Sequence, residues 1–170
     1  MITFRSLKDT EKDYKQLHKW CSKDYVYEWF EQRILSYDEI VNKYQKKLND
    51  QIQKLFIIKS NNKDIGLVQI YKYDEILDNY KNVYEYDIFI GEEDYLNKGI
   101  GKKVIAKANE MIYKDYHADA IILRPFKRNI RAIKCYKKCG FKHINDYDGF
   151  DTLGNPEVIS VLIKEQRRYL

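Results

Sequence analysis

The chain has 170 residues, 31 Lys and Arg against 26 Asp and Glu, a formal net charge of +5 and a hydrophobic fraction of 44%. This length predicts a single domain over residues 1–170 rather than two separate cores. The 16 tyrosines and only two prolines argue against disordered and fibrous proteins. No run of about 18 apolar residues could cross a membrane, and the first residues lack the apolar stretch of a signal peptide, so we expect a cytoplasmic protein without a membrane partner.

The cysteines and histidines favour neither disulfides nor a metal site. Cys21, Cys135 and Cys139 form an odd set without CxxC spacing, which is typical of a reducing compartment. Cys135 and Cys139 are four residues apart on a predicted helix, where packing is the expected role. The three histidines have no Cys or carboxylate at ligand spacing, so we expect no metal.

The net charge hides an uneven distribution along the chain. Residues 74–97 carry a net charge of −7 and residues 98–142 a net charge of +10, so a sharp boundary falls at residue 97 or 98. Taken alone, the basic segment would favour a nucleic-acid partner. Because its basic residues flank a glycine loop and include few aromatic neighbours, we expect no nucleic acid to bind.

The first third of the chain predicts one strand and two helices. Residues 2–6 alternate as a short strand does, and Asp9 or Thr10 can cap a helix. Ser36 followed by Glu39 is a capping box that opens a second helix. The apolar positions of the two helices recur at helical spacing, at Tyr14, Leu17, Trp20 and Cys21 and then at Ile40, Val41, Tyr44 and Leu48.

The middle of the chain predicts a hairpin and a third strand. Residues 54–59 form an apolar run between lysines, residues 61–64 a turn and residues 65–73 the returning strand. A polar connection over residues 74–81 then leads to a strand over residues 83–91.

The remaining elements alternate between helices and strands. We predict a helix over residues 99–113, a strand buried on both faces over residues 118–123, and a helix over residues 129–139 that Gly140 stops. The last two strands are expected at residues 141–144 and 157–164, separated by a loop over residues 149–156.

The order of these elements, β-α-α-β-β-β-α-β-α-β-β, predicts a mixed sheet with helices packed on it. Crossovers through helices require parallel pairing near the middle of the sheet, whereas the hairpin is antiparallel. The expected fold class is therefore α+β, with mixed α/β character.

A glycine loop separates the strand over residues 83–91 from the next helix. Residues 97–103 read Asn-Lys-Gly-Ile-Gly-Lys-Lys, and glycines let a backbone approach an anion at the positive end of a helix. The spacing is neither that of a Walker loop nor that of a dinucleotide fingerprint. By itself the loop fits either a phosphate site or a tight turn with solvated lysines.

A second motif begins at Asn129 and has the pattern N-x-x-A-x-x-x-Y-x-K-x-G-F. Together with the glycine loop, which has the form x-x-x-G-x-G, it resembles the GCN5-related N-acetyltransferase (GNAT) superfamily over most of residues 50–165. The resemblance implies a central mixed, mostly antiparallel sheet with helices on both faces. It also implies acetyl transfer from acetyl-CoA to an amine. Because the sequence has no serine elbow between a strand and a helix, we expect direct transfer without a covalent enzyme intermediate.

A narrower similarity within this superfamily is carried by Gln69-Ile70-Tyr71-Lys72, Asp87, Phe89-Ile90-Gly91-Glu92, the glycine loop, Trp20, residues 26–30, Glu31 and Arg33. In these residues the chain is similar to aminoglycoside 6'-N-acetyltransferases. The similarity implies transfer to the 6'-amino group of an aminoglycoside, a small cationic amine, and hence antibiotic resistance. Another amine, such as a protein N-terminus, a polyamine or a siderophore precursor, is the alternative acceptor.

Two positions depart from the family patterns. Leu96 occupies the place of a Gln or Arg in the glycine motif, although a backbone cradle needs only the glycines. Arg124 stands where the aminoglycoside enzymes usually have an acidic residue before the proline. An arginine near the cleft would weaken the binding of a polycation or change selectivity.

Acyl transfer to an amine needs a neutral amine, a stabilised carbonyl oxygen and a leaving thiolate. The resemblance implies that Asp87 deprotonates or orients the amine and that Tyr136 protonates or hydrogen-bonds the leaving sulfur. The residue types alone also allow Asp87 to pair with a nearby lysine and Tyr136 to serve as ordinary packing.

The resemblance also implies a set of cofactor contacts. The backbone N–H groups of Phe89 and Ile90 would hold the acetyl carbonyl and the pantetheine arm, and the glycine loop would take the pyrophosphate. The full set of expected cofactor-binding residues is Phe89, Ile90, Lys98, Gly99, Ile100, Gly101, Lys102 and Asn129.

The acidic segment, residues 74–97, would attract a cationic amine towards Asp87. Any one of its carboxylates can instead lie on a loop and simply be solvated by water. Two further carboxylates around the last loop would close the far side of the pocket, and a tryptophan would cover a sugar ring. The candidate substrate residues are Trp29, Glu75, Asp78, Glu85, Asp151 and Glu157. We expect a monomer or a homodimer.

Overall fold

A computed structural model describes residues 1–50, 52–75, 77 and 79–166. The strands are β1 (Ile2–Ser6), β2 (Gln53–Ser60), β3 (Lys63–Lys72), β4 (Val83–Ile90), β5 (Ala120–Leu123), β6 (Lys142–Phe150) and β7 (Pro156–Glu165). The helices are α1 (Glu11–Cys21), α2 (Asp24–Tyr27), α3 (Tyr37–Asn49), α4 (Ile100–Asp115) and α5 (Ile130–Lys138).

The seven strands form one sheet in the order β1-β2-β3-β4-β5-β7-β6. Within the described residues β4 and β5 are the one parallel pair, and the other neighbours run antiparallel. The crossover from β4 to β5 passes through α4, which is why these two strands can run in the same direction. The predicted fold class and the parallel pairing near the middle of the sheet are confirmed.

Helices cover both faces of the sheet. One face packs against α4 and α5 through a core that includes Val104, Ile112 and Phe141. The opposite face packs against α1, α2 and α3 through a core that includes Trp20 and Ile40, both fully buried. Apolar residues of the sheet contribute to both cores, so the sheet is sandwiched along most of its width.

Strand β4 presents different chemistry to the two faces. Tyr86 belongs to the core on the α4 side, and its hydroxyl donates to Asn109 Oδ1 at 3.0 Å. Phe89 belongs to the core on the α1–α3 side. Because side chains alternate along a strand, Glu85 and Asp87 lie on the same face as Phe89.

The predicted helix boundaries are largely explained by caps. Thr10 Oγ1 accepts a hydrogen bond from the Asp13 backbone at 3.4 Å, so Thr10 is the cap, while Asp9 accepts from the Tyr14 hydroxyl at 2.6 Å. The capping box of α3 is formed as predicted. Gly140 follows α5 with φ of 92°, the left-handed conformation that favours glycine at a helix end.

Two predictions about local structure were wrong. The turn of the first hairpin is two residues rather than four, because Asn61 and Asn62 both adopt positive φ and Lys63 already pairs with Ser60. The strand predicted to end at residue 144 continues to Phe150, because its backbone stays paired with β7 as far as the pair of Phe150 and Pro156. Its polar, exposed sequence lacks the alternation that would have predicted this length.

The short helix α2 was not predicted. Four residues are too few to reveal helical periodicity, and Lys23 at its N-terminus makes no side-chain capping bond. The Tyr25 hydroxyl donates to the Gly91 carbonyl at 2.9 Å and so ties α2 to the end of β4.

None of the helices in the described part of the chain combines the length and apolar character needed to cross a bilayer.

Replacing Glu39 with Gln should change how stability depends on pH. Hydrogen bonds from Arg33 and from the Ser36 amide lower the pKa of Glu39 from 4.5 to about 2. Because the folded-state pKa lies below the unfolded one, this stabilisation is present above pH 4.5 and disappears as the pH falls towards 2. The free energy of unfolding, measured with urea, should therefore differ between the wild type and Glu39→Gln above pH 4.5. This difference should narrow as the pH falls towards 2.

The matched control is Asp38→Asn, which removes the same charge from the same helical turn without touching the capping box. At neutral pH its free energy of unfolding should fall less than that of Glu39→Gln, because the hydrogen bonds of Glu39 to Ser36 and Arg33 are all retained. If the difference in free energy of unfolding between the wild type and Glu39→Gln does not narrow in acid, Glu39 does not have a lowered pKa.

Candidate active site

A cleft opens where β4 and β5 separate. Strand β4 pairs with β3 from Tyr84 to Ile90, but its pairing with β5 is confined to Val83, Tyr84 and Glu85. Beyond Glu85 the edge of β4 that faces away from β3 therefore borders a cavity of ≈ 560 Å³. This is the size of a small-molecule site, and a free strand edge offers N–H and C=O groups to an extended ligand.

The glycine loop forms one wall of this cleft. Gly99 caps α4 with φ of 73°, a left-handed conformation, and a side chain placed there would meet open space. Helix α4 has no side-chain cap and no acidic residue in its first turn, so its N–H groups and positive dipole end remain available to an anion. Lys102, Arg131 and Lys134 also line the cleft and add positive charge.

Asp87 lies in this cleft and is held by two donors. Gln69 Nε2 donates to Asp87 Oδ2 at 2.6 Å and the Tyr71 hydroxyl donates to the same oxygen at 3.2 Å. Within the described residues no hydrogen bond reaches Asp87 Oδ1. Asp87 is therefore fixed on one oxygen and open on the other, rather than paired with a lysine.

Tyr136 lines the same cleft from α5. Its ring packs against Phe141 with centroids 6.0 Å apart. Burial first, and then the negative charge of Asp87, raise the pKa of the Tyr136 hydroxyl, so it remains protonated at neutral pH. A protonated hydroxyl can donate a hydrogen bond to a ligand in the cleft.

Arg124 is neutralised within the protein. Its guanidinium binds both oxygens of Glu85, with Nη2 to Oε2 at 2.5 Å and Nε to Oε1 at 2.9 Å. Nη1 also contacts Glu75 Oε1 at 3.4 Å, and the group lies 5.0 Å from the Tyr73 ring centre. Burial raises the pKa of Glu85, which is 3% exposed, while Arg124 opposes that shift. Glu85 and Glu75 are thus already bound to Arg124.

Arg128 contacts two of the other candidate residues, Trp29 and Glu157. It lies 4.7 Å from the Trp29 ring centre, and its Nε donates to Glu157 Oε1 at 2.6 Å. Trp29 lines the cleft, whereas Glu157 does not and instead lines a separate pocket together with Arg128. Asp151 accepts hydrogen bonds from Leu153 and Asn155 within its own loop and does not line the cleft.

The remaining expected cofactor residues fall into distinct environments. Ile90, Ile100 and Gly101 line the cleft, as does Phe89, whose buried ring packs on Phe30 with centroids 5.5 Å apart. Asn129 lines the cleft, but its side chain also caps α5 by accepting from the Ala132 amide at 3.2 Å. Lys98 is exposed and outside the lining. Asp78 lies outside the described residues.

Several residues of the site were not expected from the sequence. Gln69 and Tyr71 carry the family resemblance, but their contact with Asp87 follows from the register that places Gln69 opposite Asp87. Three basic residues of α5 that line the cleft, Arg131, Lys134 and Lys138, were also not singled out. Their spacing along the helix after Asn129 is the signal that would have placed them beside the glycine loop.

In the described part of the chain, no group of three or more His, Cys, Asp or Glu side chains is arranged to hold a metal ion. The three cysteines are free, with Cys21 buried and the other two partly exposed.

Comparison with known families identifies the class of protein that this fold and cleft represent. A family model described as an acetyltransferase (GNAT) domain matches residues 9–149. The chain belongs to the GNAT acetyltransferase family. The resemblance predicted from the glycine loop and the Asn129 motif is therefore confirmed.

The curated relatives include two kinds of acetyltransferase. The chain is 26% identical over 152 residues to aminoglycoside N(6')-acetyltransferase type 1 of Klebsiella pneumoniae, covering 83% of this chain and 74% of the relative. It is 28% identical over 114 residues to spermidine N(1)-acetyltransferase of Vibrio cholerae, covering 66% of this chain and 63% of the relative.

Solved structures show the same fold. The aminoglycoside acetyltransferase AAC(6')-Ib in complex with coenzyme A superimposes with a TM-score of 0.80 at 22% identity, over 98% of this chain and 95% of that one. Spermidine N-acetyltransferase from Vibrio cholerae with CoA and spermine gives a TM-score of 0.79 at 21% identity, over 97% of this chain and 95% of that one.

Removing Glu85, the buried partner of Arg124, should lower the free energy of unfolding far more than removing Glu75, the exposed partner. Glu85→Ala leaves a half-buried guanidinium without its principal counter-charge and should destabilise the fold by about 3 kcal/mol. Glu75, with a side chain 62% exposed, is the matched control on the same arginine, and Glu75→Ala should cost less than about 1 kcal/mol. Chemical denaturation of both variants measures the difference, and equal losses would refute this ranking.

Proposed function

We propose that the chain transfers the acetyl group of acetyl-CoA to a primary amine of a small cationic acceptor. The observation that carries this proposal is the position of Asp87, which lines the cleft, accepts hydrogen bonds from Gln69 and Tyr71 on one oxygen, and has no hydrogen bond from the described residues on the other. A fixed carboxylate beside an anion-binding helix terminus matches what acetyl transfer to an ammonium group requires.

The cleft walls fit the two ends of acetyl-CoA. The uncapped start of α4 with Gly99 and Gly101 would bind the pyrophosphate, and Lys102 and Arg131 would balance its charge. The free edge of β4 around Phe89 and Ile90 would hold the extended arm by backbone hydrogen bonds. When bound, acetyl-CoA supplies an activated thioester.

Two side chains would handle the protons of the transfer. Asp87 Oδ1 would bind the acceptor ammonium and take its proton, which frees the nitrogen lone pair for attack. The Tyr136 hydroxyl, kept protonated by its raised pKa, would donate to the departing sulfur. The nitrogen loses a second proton as the tetrahedral intermediate collapses, and this proton would replace the one that Tyr136 gives to the sulfur. The reaction would thus release one net proton, at Asp87, and no covalent enzyme intermediate is needed.

The favoured acceptor is the 6'-amino group of an aminoglycoside, so that the chain would confer resistance. The aminoglycoside relative aligns with more of this chain, 83% against 66% for the spermidine relative. The salt bridges of Arg124 also support a cationic acceptor, because Glu85 and Glu75 neutralise the positive charge that would otherwise repel it. Trp29 lines the cleft and offers a flat surface to a sugar ring.

A polyamine is the second candidate acceptor. The Vibrio cholerae spermidine enzyme is 28% identical to this chain, slightly more than the aminoglycoside enzyme. A linear polyamine would satisfy the same carboxylate without contacting Trp29.

A panel of amines should separate these acceptors. Release of free thiol from acetyl-CoA should be fastest with kanamycin-type substrates that carry a 6'-amine, and should disappear with analogues that have a 6'-hydroxyl instead. Preferred turnover of spermidine or spermine would select the second candidate. No thiol release with any aminoglycoside or polyamine would refute the proposed function.

Asp87→Asn should lower kcat by about a hundredfold or more, because the amide cannot accept the ammonium proton. Asp94→Asn is the matched control, since it removes the same charge from an exposed position of the same acidic segment. The control should keep nearly full activity. If Asp87→Asn keeps more than a tenth of the wild-type kcat, Asp87 has no proton-transfer role.

A further inference from the structure

A second hydrogen bond lies behind the Asp87 contact. Lys47, on α3, donates from Nζ to Gln69 Oε1 at 2.7 Å, and Gln69 Nε2 in turn donates to Asp87 Oδ2 at 2.6 Å. The three side chains come from α3, β3 and β4 and form one continuous chain on the α1–α3 face of the sheet.

The chemistry of Lys47 determines which way the Gln69 amide points. An ammonium group only donates hydrogen bonds, so the amide oxygen must face Lys47. The amide nitrogen must then face Asp87. In the opposite orientation, two donors would meet at Lys47 and two acceptors at Asp87, and both hydrogen bonds would be lost.

We propose that Lys47 is a positioning residue for the acetyl transfer, which acts through Gln69 to hold Asp87 with one oxygen bound and the other directed to the acceptor. This inference rests on the proposed function. Lys47 touches neither reacting group; its effect is to keep a donor of Gln69 aimed at the carboxylate.

The surroundings of Lys47 suit this role. Burial and the nearby Lys43 lower the pKa of Lys47, while Asp87, Glu31 and Cys21 favour its charged form. Lys43 is itself paired with Glu31. Lys47 has Gln69 as its hydrogen-bond partner within the described residues, so its charge is directed towards Asp87 rather than towards an ion pair of its own.

The groups around Asp87 come from four elements. Burial first, and then the charge of Asp87 among other groups, raises the pKa of the hydroxyls of Tyr71 on β3, Tyr44 on α3 and Tyr136 on α5. Burial also raises the pKa of Glu85, two residues away on β4, with a smaller contribution from the charge of Asp87. Among the described residues, Lys47 is the cationic group connected to Asp87 through hydrogen bonds.

The test compares Lys47→Met with Lys46→Met. Lys46 is the exposed neighbour of Lys47 on the same helix. Its replacement by Met removes an equal charge without affecting the hydrogen bond to Gln69. Lys47→Met should lower kcat for the amine acceptor about tenfold and leave KM for acetyl-CoA unchanged. Lys46→Met should behave as the wild type.

A double-mutant cycle shows whether Lys47 acts through Gln69. In a Gln69→Leu background, Lys47→Met should cause little further loss of kcat, because the link to Asp87 is already broken. If the loss of kcat in the double variant equals the sum of the losses in the two single variants, Lys47 acts independently of Gln69 and the proposal is overturned.

The side-chain amide of Gln69 provides a readout that does not depend on activity. Its two N–H resonances in ¹⁵N-labelled protein should shift and exchange faster with solvent in Lys47→Met, and remain unchanged in Lys46→Met. Unchanged Gln69 resonances in Lys47→Met would also overturn the positioning role. An absence of acetyl transfer in the wild type would instead reject the proposed function, and the amide signals would still decide whether Lys47 orients Gln69.

Discussion

The divergence of β4 and β5 after Glu85 is the constraint on which the rest of the site depends. The parallel pairing ends there, while β4 continues to Ile90 with β3 on its other side. This arrangement opens the cleft without exposing the core, because α4 and α5 still cover one face of the sheet and α1–α3 the other. The buried Glu85–Arg124 pair lies at the point of divergence, so the last paired residue of β4 is fixed to the chain that leaves β5.

The distribution of charge has a structural explanation that the net charge conceals. The basic segment supplies Lys102, Arg131 and Lys134 to the glycine-loop side of the cleft. In the acidic segment, Glu85 and Glu75 neutralise Arg124, and Asp87 remains open on one oxygen. In the proposed reaction the acidic segment would therefore offer one defined carboxylate to the cationic acceptor, rather than a diffuse negative surface.

The sequence predicted features that depend on local rules, and it failed where the structure depends on distant partners. Thr10, the Ser36 capping box and Gly140 follow from the chemistry of helix ends, which acts over a few residues. The strand extension to Phe150 depends on pairing with β7 and left no local signal. In the same way the two motifs indicated the cleft walls, but the partners of Asp87 depend on the register between β3 and β4.

The separation of β4 and β5 also explains how residues from opposite faces of the sheet can serve one reaction. Asp87 lies on the face covered by α1–α3, whereas Tyr136 belongs to α5 on the other face. A continuous sheet would separate the two side chains. Both line the same cleft because β5 is no longer paired with β4 beyond Glu85. In the proposed reaction the amine would therefore approach Asp87 from the α1–α3 side, and the thioester would lie in the gap between the strands. The sulfur would leave towards Tyr136, so that the proton acceptor and the proton donor stay on opposite sides of the reacting carbonyl.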